Sequence, residues 1–163
     1  MDNELYLCRI KNEYLKYLHR IDTRVSVKYN NRPFVGVITM INNIKYVIPL
    51  TSQTTQKREK AGKKKRSARI TTYVRDGSGV EIANILYNNM IPIISGQYEH
   101  IDIDAEKNTY ESNEIRFIRK NKEKIINKAH KVYNDRINKN DNFLNIYCCD
   151  FKKLEEGYML YEK

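Results

Sequence analysis

Residues 34–50 constrain the fold most. Phe34 to Ile41 (FVGVITMI) and Ile44 to Leu50 (IKYVIPL) are apolar, β-branched runs separated only by Asn42-Asn43. Branched side chains are stiff at χ1 and fit a pleated surface. Asn tolerates positive φ, so the pair supplies a tight two-residue turn. The stretch predicts a β-hairpin, and with it antiparallel sheet. Pro49 has no N–H to give to a ladder, so pairing is expected to end there or to lie on an edge. Thr51 and Ser52 then fall where the strand leaves the sheet.

The rest of the chain mixes short apolar runs with helical periodicity. Leu5 to Ile10 predicts a short strand. Tyr14, Leu15, Leu18 and Ile21 recur at helical spacing, so roughly 12–22 is expected as an amphipathic helix. Val25 to Asn31 holds Tyr29 and ends in a turn-like Asn30-Asn31. Ile70 to Arg75 predicts a strand, followed by a turn at Asp76-Gly77-Ser78-Gly79. Val80 to Leu86 fits either a strand or a helix. Met90 to Ile94 and Gln97 to Ile103 are expected as short strands. One long helix follows, with Ile115, Ile118, Ile125, Ala129 and Val132 on one face and Ser112 as its N-cap. Asp150 to Tyr161 is expected as a terminal helix weakened by Gly157. This order defines an α+β chain with a compact, mostly antiparallel, partly barrel-like sheet and flanking helices. The 163 residues fit one domain, 1–163, with a basic loop at about 53–69.

Charge is the second constraint. Lys and Arg number 30 against 20 Asp and Glu, a formal net charge of +10. Lys57, Arg58, Lys60, Lys63, Lys64, Lys65, Arg66 and Arg69 fall in one stretch opposed only by Glu59, which therefore carries net +7 of that total. Like charges this dense repel, and Gly62 adds flexibility. The stretch is expected as a flexible arm with no ordered helix of its own, gripping phosphates once RNA or DNA orders it. A solvated loop of no role is the competing reading. The excess points to a polyanionic partner, nucleic acid ahead of an acidic membrane surface.

Several classes are excluded early. No apolar run approaches the ~18–20 residues that span a bilayer. MDNELYLCRI starts acidic, so a secretory signal is not expected. Cys8, Cys148 and Cys149 are an odd set with a vicinal pair, which is not a disulfide framework and fits a reducing cytoplasm. No zinc-binding spacing occurs, and no P-loop, G-x-G-x-x-G, H-E-x-x-H or G-x-S-x-G. The acids are scattered, and Asp102 and Asp104 read as a solvated strand face. No metal or cofactor is expected.

Metal-free RNA cleavage needs other parts. The ribose 2′-oxygen attacks the adjacent phosphorus and the 5′-oxygen leaves. One group must help deprotonate the 2′-OH, and another must stabilise the phosphorane. His19, His100 and His130 lie far from the hairpin and read as helix surface or partial core. Arg and Lys can hold the phosphorane, and Ser, Thr and Tyr hydroxyls can position it. Near the hairpin ends these are Tyr29, Arg32, Thr51, Ser52 and Lys57. The start of the first strand and the end of the second lie at the same end of an antiparallel pair, so the two groups can converge.

Tyr29-Asn-Asn-Arg32-Pro-Phe-Val-Gly36, Tyr46-Val-Ile-Pro-Leu-Thr51-Ser52, Asn88-Asn-Met-Ile-Pro-Ile93 and Ile115-Arg-Phe-Ile-Arg-Lys-Asn121 together resemble the ToxN/AbiQ family, the endoribonuclease toxins of type III toxin–antitoxin and phage-abortive systems. The resemblance runs over nearly the whole chain in order. It implies a fold similar to the MazF/Kid class of toxin nucleases. It implies metal-independent, sequence-preferring cleavage that leaves a 2′,3′-cyclic phosphate. It implies inhibition by a small structured antitoxin RNA made of repeats, with which the toxin forms a closed hetero-oligomer, and cellular or phage RNA as substrate. Abortive infection or plasmid maintenance would be the biological role.

By motif, Thr51 and Ser52 would be the active-site hydroxyls, Tyr29 would line the site and Arg32 would be its cationic partner. The family commonly continues as S-P-K, with a catalytic lysine. Here the chain reads Ser52-Gln53-Thr54-Thr55-Gln56-Lys57, so Lys57 is the nearest candidate. RNA binding is expected from the basic stretch, from Asn88, and from Arg116, Arg119 and Lys120 on the long helix. The alternative is a non-catalytic RNA- or DNA-binding module that uses the basic loop and the tyrosines. A ribosome-associated structural protein is a third reading, which the family blocks oppose.

Overall fold

The structure, a computed structural model, describes residues 5–27 and 34–161. In chain order these residues form β1 (Tyr6–Ile10), α1 (Asn12–Ile21), β2 (Phe34–Ile41), β3 (Ile44–Thr51), α2 (Thr55–Lys60), β4 (Thr71–Arg75) and β5 (Glu81–Leu86). A 3-10 turn at Tyr87–Asn89 leads to β6 (Ile91–Pro92) and β7 (Tyr98–His100). The helices α3 (Tyr110–Lys120), α4 (Lys122–Asn138), α5 (Asn142–Tyr147) and α6 (Phe151–Gly157) follow, with a last 3-10 turn at Tyr158–Leu160.

The hairpin is as expected. Asn42 and Asn43 take φ of 50° and 63°, which places both in the left-handed region that a type I′ turn requires. Its twist matches that of the strands, so β2 and β3 pair antiparallel from Ile41–Ile44 to Gly36–Pro49. Gly36 is obligatory here. A Cβ on it would lie 2.3 Å from Val47 Cγ1 and 2.7 Å from the Ile48 carbonyl oxygen.

The strand does not stop at Pro49. It changes partner. On its other side β3 pairs β6 through Tyr46 and Val47, then β5 through Leu50 and Thr51. In the alternation of an antiparallel ladder, residue 49 directs its nitrogen away from β2, into the gap between these partners. The missing N–H therefore leaves no bond unmade.

All pairings are antiparallel, in the order β4-β5-β3-β2-β1-β7, with β6 beside β3. Among the described residues this path is open, so the expected barrel does not close. Its two edges, β4 and β7, do not meet, and α3 packs against β4 and β5.

The core lies between the sheet and the helices. Tyr14, Leu15 and Leu18 bury the inner face of α1, and the Tyr14 hydroxyl donates to Pro92 O at 2.5 Å. Tyr46 and Tyr133 both donate to Glu155, at 2.5 and 2.6 Å, against the buried ring of Phe151. The three cysteines are buried and free.

The long helix differs from expectation. It breaks at Asn121, whose side-chain amide and backbone N–H both turn back to Phe117 O, at 2.9 and 3.0 Å. Asn competes with the helical ladder in this way. The N-cap is Thr109 rather than Ser112. Thr109 Oγ1 accepts the Ser112 N–H at 3.1 Å, and Ser112 donates its own hydroxyl to Asp104 O. Asp102 and Asp104 lie beyond β7 and not on its face, and Asp104 Oδ1 closes a turn by accepting the Glu106 N–H. The terminal helix ends at Gly157, short of the expected Tyr161.

Candidate active-site cleft

The chain leaves the sheet at Thr51, as the hairpin predicts. Thr51 Oγ1 accepts the Gln53 N–H at 3.1 Å, which leaves the hydroxyl proton available to another acceptor. Ser52 is exposed, and its carbonyl accepts the Thr54 N–H at 3.0 Å. Thr54 then caps α2, with its hydroxyl oxygen accepting from Lys57 N. Glu81 reaches the same helix start, accepting the Thr55 N–H at 2.6 Å and the Thr55 hydroxyl at 2.9 Å.

The basic stretch is not a flexible arm. Part of it is α2, closed by a Schellman motif in which Gly62 takes φ of 74°. Lys63 N donates to Arg58 O at 2.8 Å, and Gly62 N to Glu59 O at 3.0 Å. The segment after it folds back onto the hairpin exit. Arg66 donates to Gln53 O at 2.6 Å, to Gln53 Oε1 at 3.1 Å and to Asn84 Oδ1 at 3.0 Å. Tyr73 donates its hydroxyl to Arg66 O, and Lys65 Nζ lies 4.7 Å from the Tyr73 ring centre. Burial, with Arg58 beside it, pulls the Arg66 guanidinium down to about 10. Repulsion among the cations is met by these local acceptors, which the charge pattern alone does not reveal.

Between the loop and the sheet opens a cleft of about 650 Å³. It is lined by Pro49, Leu50 and Thr51 at the end of β3, by the cationic Arg58, Lys64, Lys65 and Arg66, by Asn88 and Asn89, and by Phe143 and Tyr147 of α5. Arg69 of the loop pairs with Asp141, just before α5, through bonds of 3.1 and 2.5 Å. That pairing, with the Leu144 N–H, holds the Asp141 carboxyl down at about 2.

Of the residues singled out by sequence, Thr51, Arg58, Lys64, Lys65, Arg66 and Asn88 meet in this one cleft. Ser52 adjoins it in sequence. Lys57 is exposed on α2, and Lys60 and Lys63 are exposed on the same loop. Tyr29 and Arg32, with the expected turn at Asn30-Asn31, lie outside the described residues. Arg116 and Lys120 line a separate hollow with Arg75, at the opposite end of β4 from the cleft, and Arg119 is exposed on α3. Arg116 donates to Ala105 O, to Lys107 O and to Asn113 Oδ1. His19 is held by Val25 O at 2.7 Å, and His100 stacks on Tyr6. Sequence reasoning missed Gln53, Asn84, Phe143 and Tyr147. The first two carry no charge, and α5 is too short to show periodicity.

Fold and cleft define a small basic α+β protein with Thr51, at a hairpin exit, in a cleft lined by cations. Over residues 6–159 the chain matches the profile of the toxin ToxN of type III toxin–antitoxin systems. It is 31% identical to endoribonuclease ToxN of Bacillus thuringiensis subsp. kurstaki, over 94% of this chain and 82% of that one. It is 29% identical to endoribonuclease AbiQ of Lactococcus lactis subsp. lactis, over 94% and 87%. A solved type III toxin–antitoxin structure, described as showing selective toxin inhibition by a non-coding RNA pseudoknot, superposes with a TM-score of 0.81 at 30% identity, covering 97% of this chain and 98% of that one. The structure of AbiQ, a lactococcal anti-phage endoribonuclease, superposes at 0.79 with 26% identity, over 96% and 97%. The chain belongs to the ToxN toxin family.

Proposed function

We propose that the chain is an endoribonuclease toxin of a type III system that cuts RNA without a metal and is silenced by a structured antitoxin RNA. Family membership and two endoribonuclease relatives aligned over most of the chain support the activity. The observation that carries the mechanism is that Thr51 lines one cleft with Arg58, Lys64, Lys65 and Arg66. In this reading the 2′-oxygen forms a bond to phosphorus as its proton is taken up. The P–O5′ bond breaks, and the leaving oxygen receives a proton. The products are a 2′,3′-cyclic phosphate and a 5′-hydroxyl. Thr51 and Ser52 donate to the phosphoryl oxygens, and the cleft's guanidinium and ammonium groups stabilise the phosphorane.

Tyr29, Arg32 and Lys57 are the proposed remaining members, with Tyr29 and Arg32 arriving from the segment just before β2. Arg58, Lys60, Lys63, Lys64, Lys65, Arg66, Arg69 and Asn88 are proposed to bind RNA, with Arg116, Arg119 and Lys120 as a second contact. The same reading includes one domain, a cytoplasmic location, a closed toxin–RNA assembly and a role in abortive infection. Kinship with the MazF/Kid class belongs to it as well, supported by the antiparallel sheet with flanking helices.

Purified protein incubated with a defined RNA tests this reading. Cleavage that survives EDTA and leaves cyclic phosphate ends is expected. RNA binding without cleavage would instead establish the binding-module reading, and activity lost to EDTA and restored by Mg²⁺ would refute the metal-free mechanism.

A further inference from the structure

The chemistry above leaves part of the cleft unused. Phe143 and Tyr147, one helical turn apart on α5, have ring centres 4.9 Å apart and planes inclined at 49°. Tyr147 is 54% exposed and lines the same cleft as Arg58, Lys64, Lys65 and Arg66. The helix that carries this ring is well anchored. Arg69 lies 5.4 Å from the Phe143 ring centre and pairs with Asp141, which caps α5 by accepting the Leu144 N–H at 3.0 Å. Asn88 donates to Tyr147 O at 3.0 Å, and Arg24 donates to Asn145 O at 2.7 Å. Both ends of this short helix are therefore tied to the body of the protein. A ring on a helix held this way loses little further freedom when something stacks on it.

The cations of the cleft specify the occupant. Arg58, Lys64 and Lys65 line it together with Phe143 and Tyr147, so a single strand bound here can set its phosphates on the cations and a base on α5. Single-stranded nucleic acid is bound in this manner, with charge on the backbone side and aromatic rings on the base side.

We propose that Tyr147, backed by Phe143, is a stacking platform that seats one base of single-stranded RNA and so places the adjoining ribose-phosphate at Thr51. Tyr147 is a positioning residue that senses the presence of a base rather than its edge. For its ligand class the proposal rests on the RNA-cleavage reading, but its test does not require cleavage.

Two short strands of equal length and equal phosphate number provide that test. One is a 2′-O-methyl RNA of mixed sequence, which cannot be cut, and the other is a tetrahydrofuran abasic strand. The wild-type protein should bind the base-bearing strand more tightly. Tyr147→Leu, which keeps bulk and loses the ring, should weaken that binding about 5- to 150-fold and leave the abasic strand unaffected. Tyr147→Phe should retain wild-type binding of both. Equal wild-type affinity for the two strands overturns the platform without recourse to any variant. So does a Tyr147→Leu protein that loses equally on both strands or on neither. If the wild type discriminates the strands and Tyr147→Leu loses only on the base-bearing one, yet no RNA is cut, the platform stands and the cleavage reading falls. If it cuts RNA and Tyr147→Leu binds like wild type, the platform falls alone.

Discussion

The Arg66 guanidinium donates to Asn84 Oδ1 at 3.0 Å, across 18 positions of sequence. Asn84 is fully buried, and its amide nitrogen is already committed to Glu81 Oε2 at 2.9 Å and Ala83 O at 2.8 Å. Arg66 thus serves a buried acceptor and, through Gln53, the turn that carries Thr51. Its lysine neighbours Lys63, Lys64 and Lys65 are exposed.

The basic loop should therefore divide under mutation. Arg66→Ser strands the Asn84 oxygen and should cost about 1–3 kcal/mol of stability, read from a urea midpoint. Replacing Lys63, Lys64 and Lys65 together by serine should leave that midpoint unchanged. It should reduce the slope of log K against log salt by roughly 0.7 for each phosphate that the protein ceases to neutralise. An unchanged slope would show that the lysines do not touch phosphate.

Thr51→Val keeps the shape and removes the hydroxyl. Loss of one preorganised donor to a developing phosphorane should lower kcat by about 10²–10³-fold. Ser52→Ala should also inactivate, yet Ser52 is exposed, so thermal stability should move by less than about 0.5 kcal/mol. A soluble Ser52→Ala protein with full activity would remove that residue from the mechanism.

Gly36→Ala forces a Cβ against the Ile48 carbonyl oxygen and Val47 Cγ1. The backbone atom cannot rotate away, so the hairpin must open. A loss of about 1–3 kcal/mol is expected in chemical denaturation, and wild-type stability would mean that the two strands have more room than this packing allows.

Glu114 is buried on α3, and burial, with Glu111 one turn earlier, pushes its carboxyl up to about 7 from the usual 4.5. The folded protein holds this proton over a pH range in which the unfolded chain has released it. The associated stability is complete below about pH 4.5 and is lost as pH rises through about 7. Glu114→Gln should flatten that decline and exceed the wild type by up to about 3 kcal/mol above neutrality. Melting curves across this range that run parallel for the two proteins would refute it.

Features that depend on neighbours in sequence were legible in the chain. The Asn42-Asn43 turn, α1, the strand exit at Thr51 and the family blocks all rest on short-range pattern. What could not be read depends on distant partners. The order of the basic loop comes from Arg66 reaching Gln53 and Asn84, 13 and 18 positions away. The break falls at Asn121, which leaves helical geometry while its side-chain amide adds a second bond to the Phe117 carbonyl. The continuation of β3 past Pro49 depends on a gap between two partner strands, and α5 is held at the cleft by distant partners, among them Asn88, Arg24 and Arg69.

The cleft draws on positions from Ser26 to Tyr147. A nascent chain can fold its first hairpin, with Thr51 in place, while the loop, β5 and α5 are still unsynthesised or inside the ribosome. The hydroxyls then stand without the cations, and later without the aromatic rings. In the proposed reading the site is complete only once Tyr147 has left the ribosome, long after Thr51 is in place, so the nascent hairpin carries its hydroxyls without a working cleft.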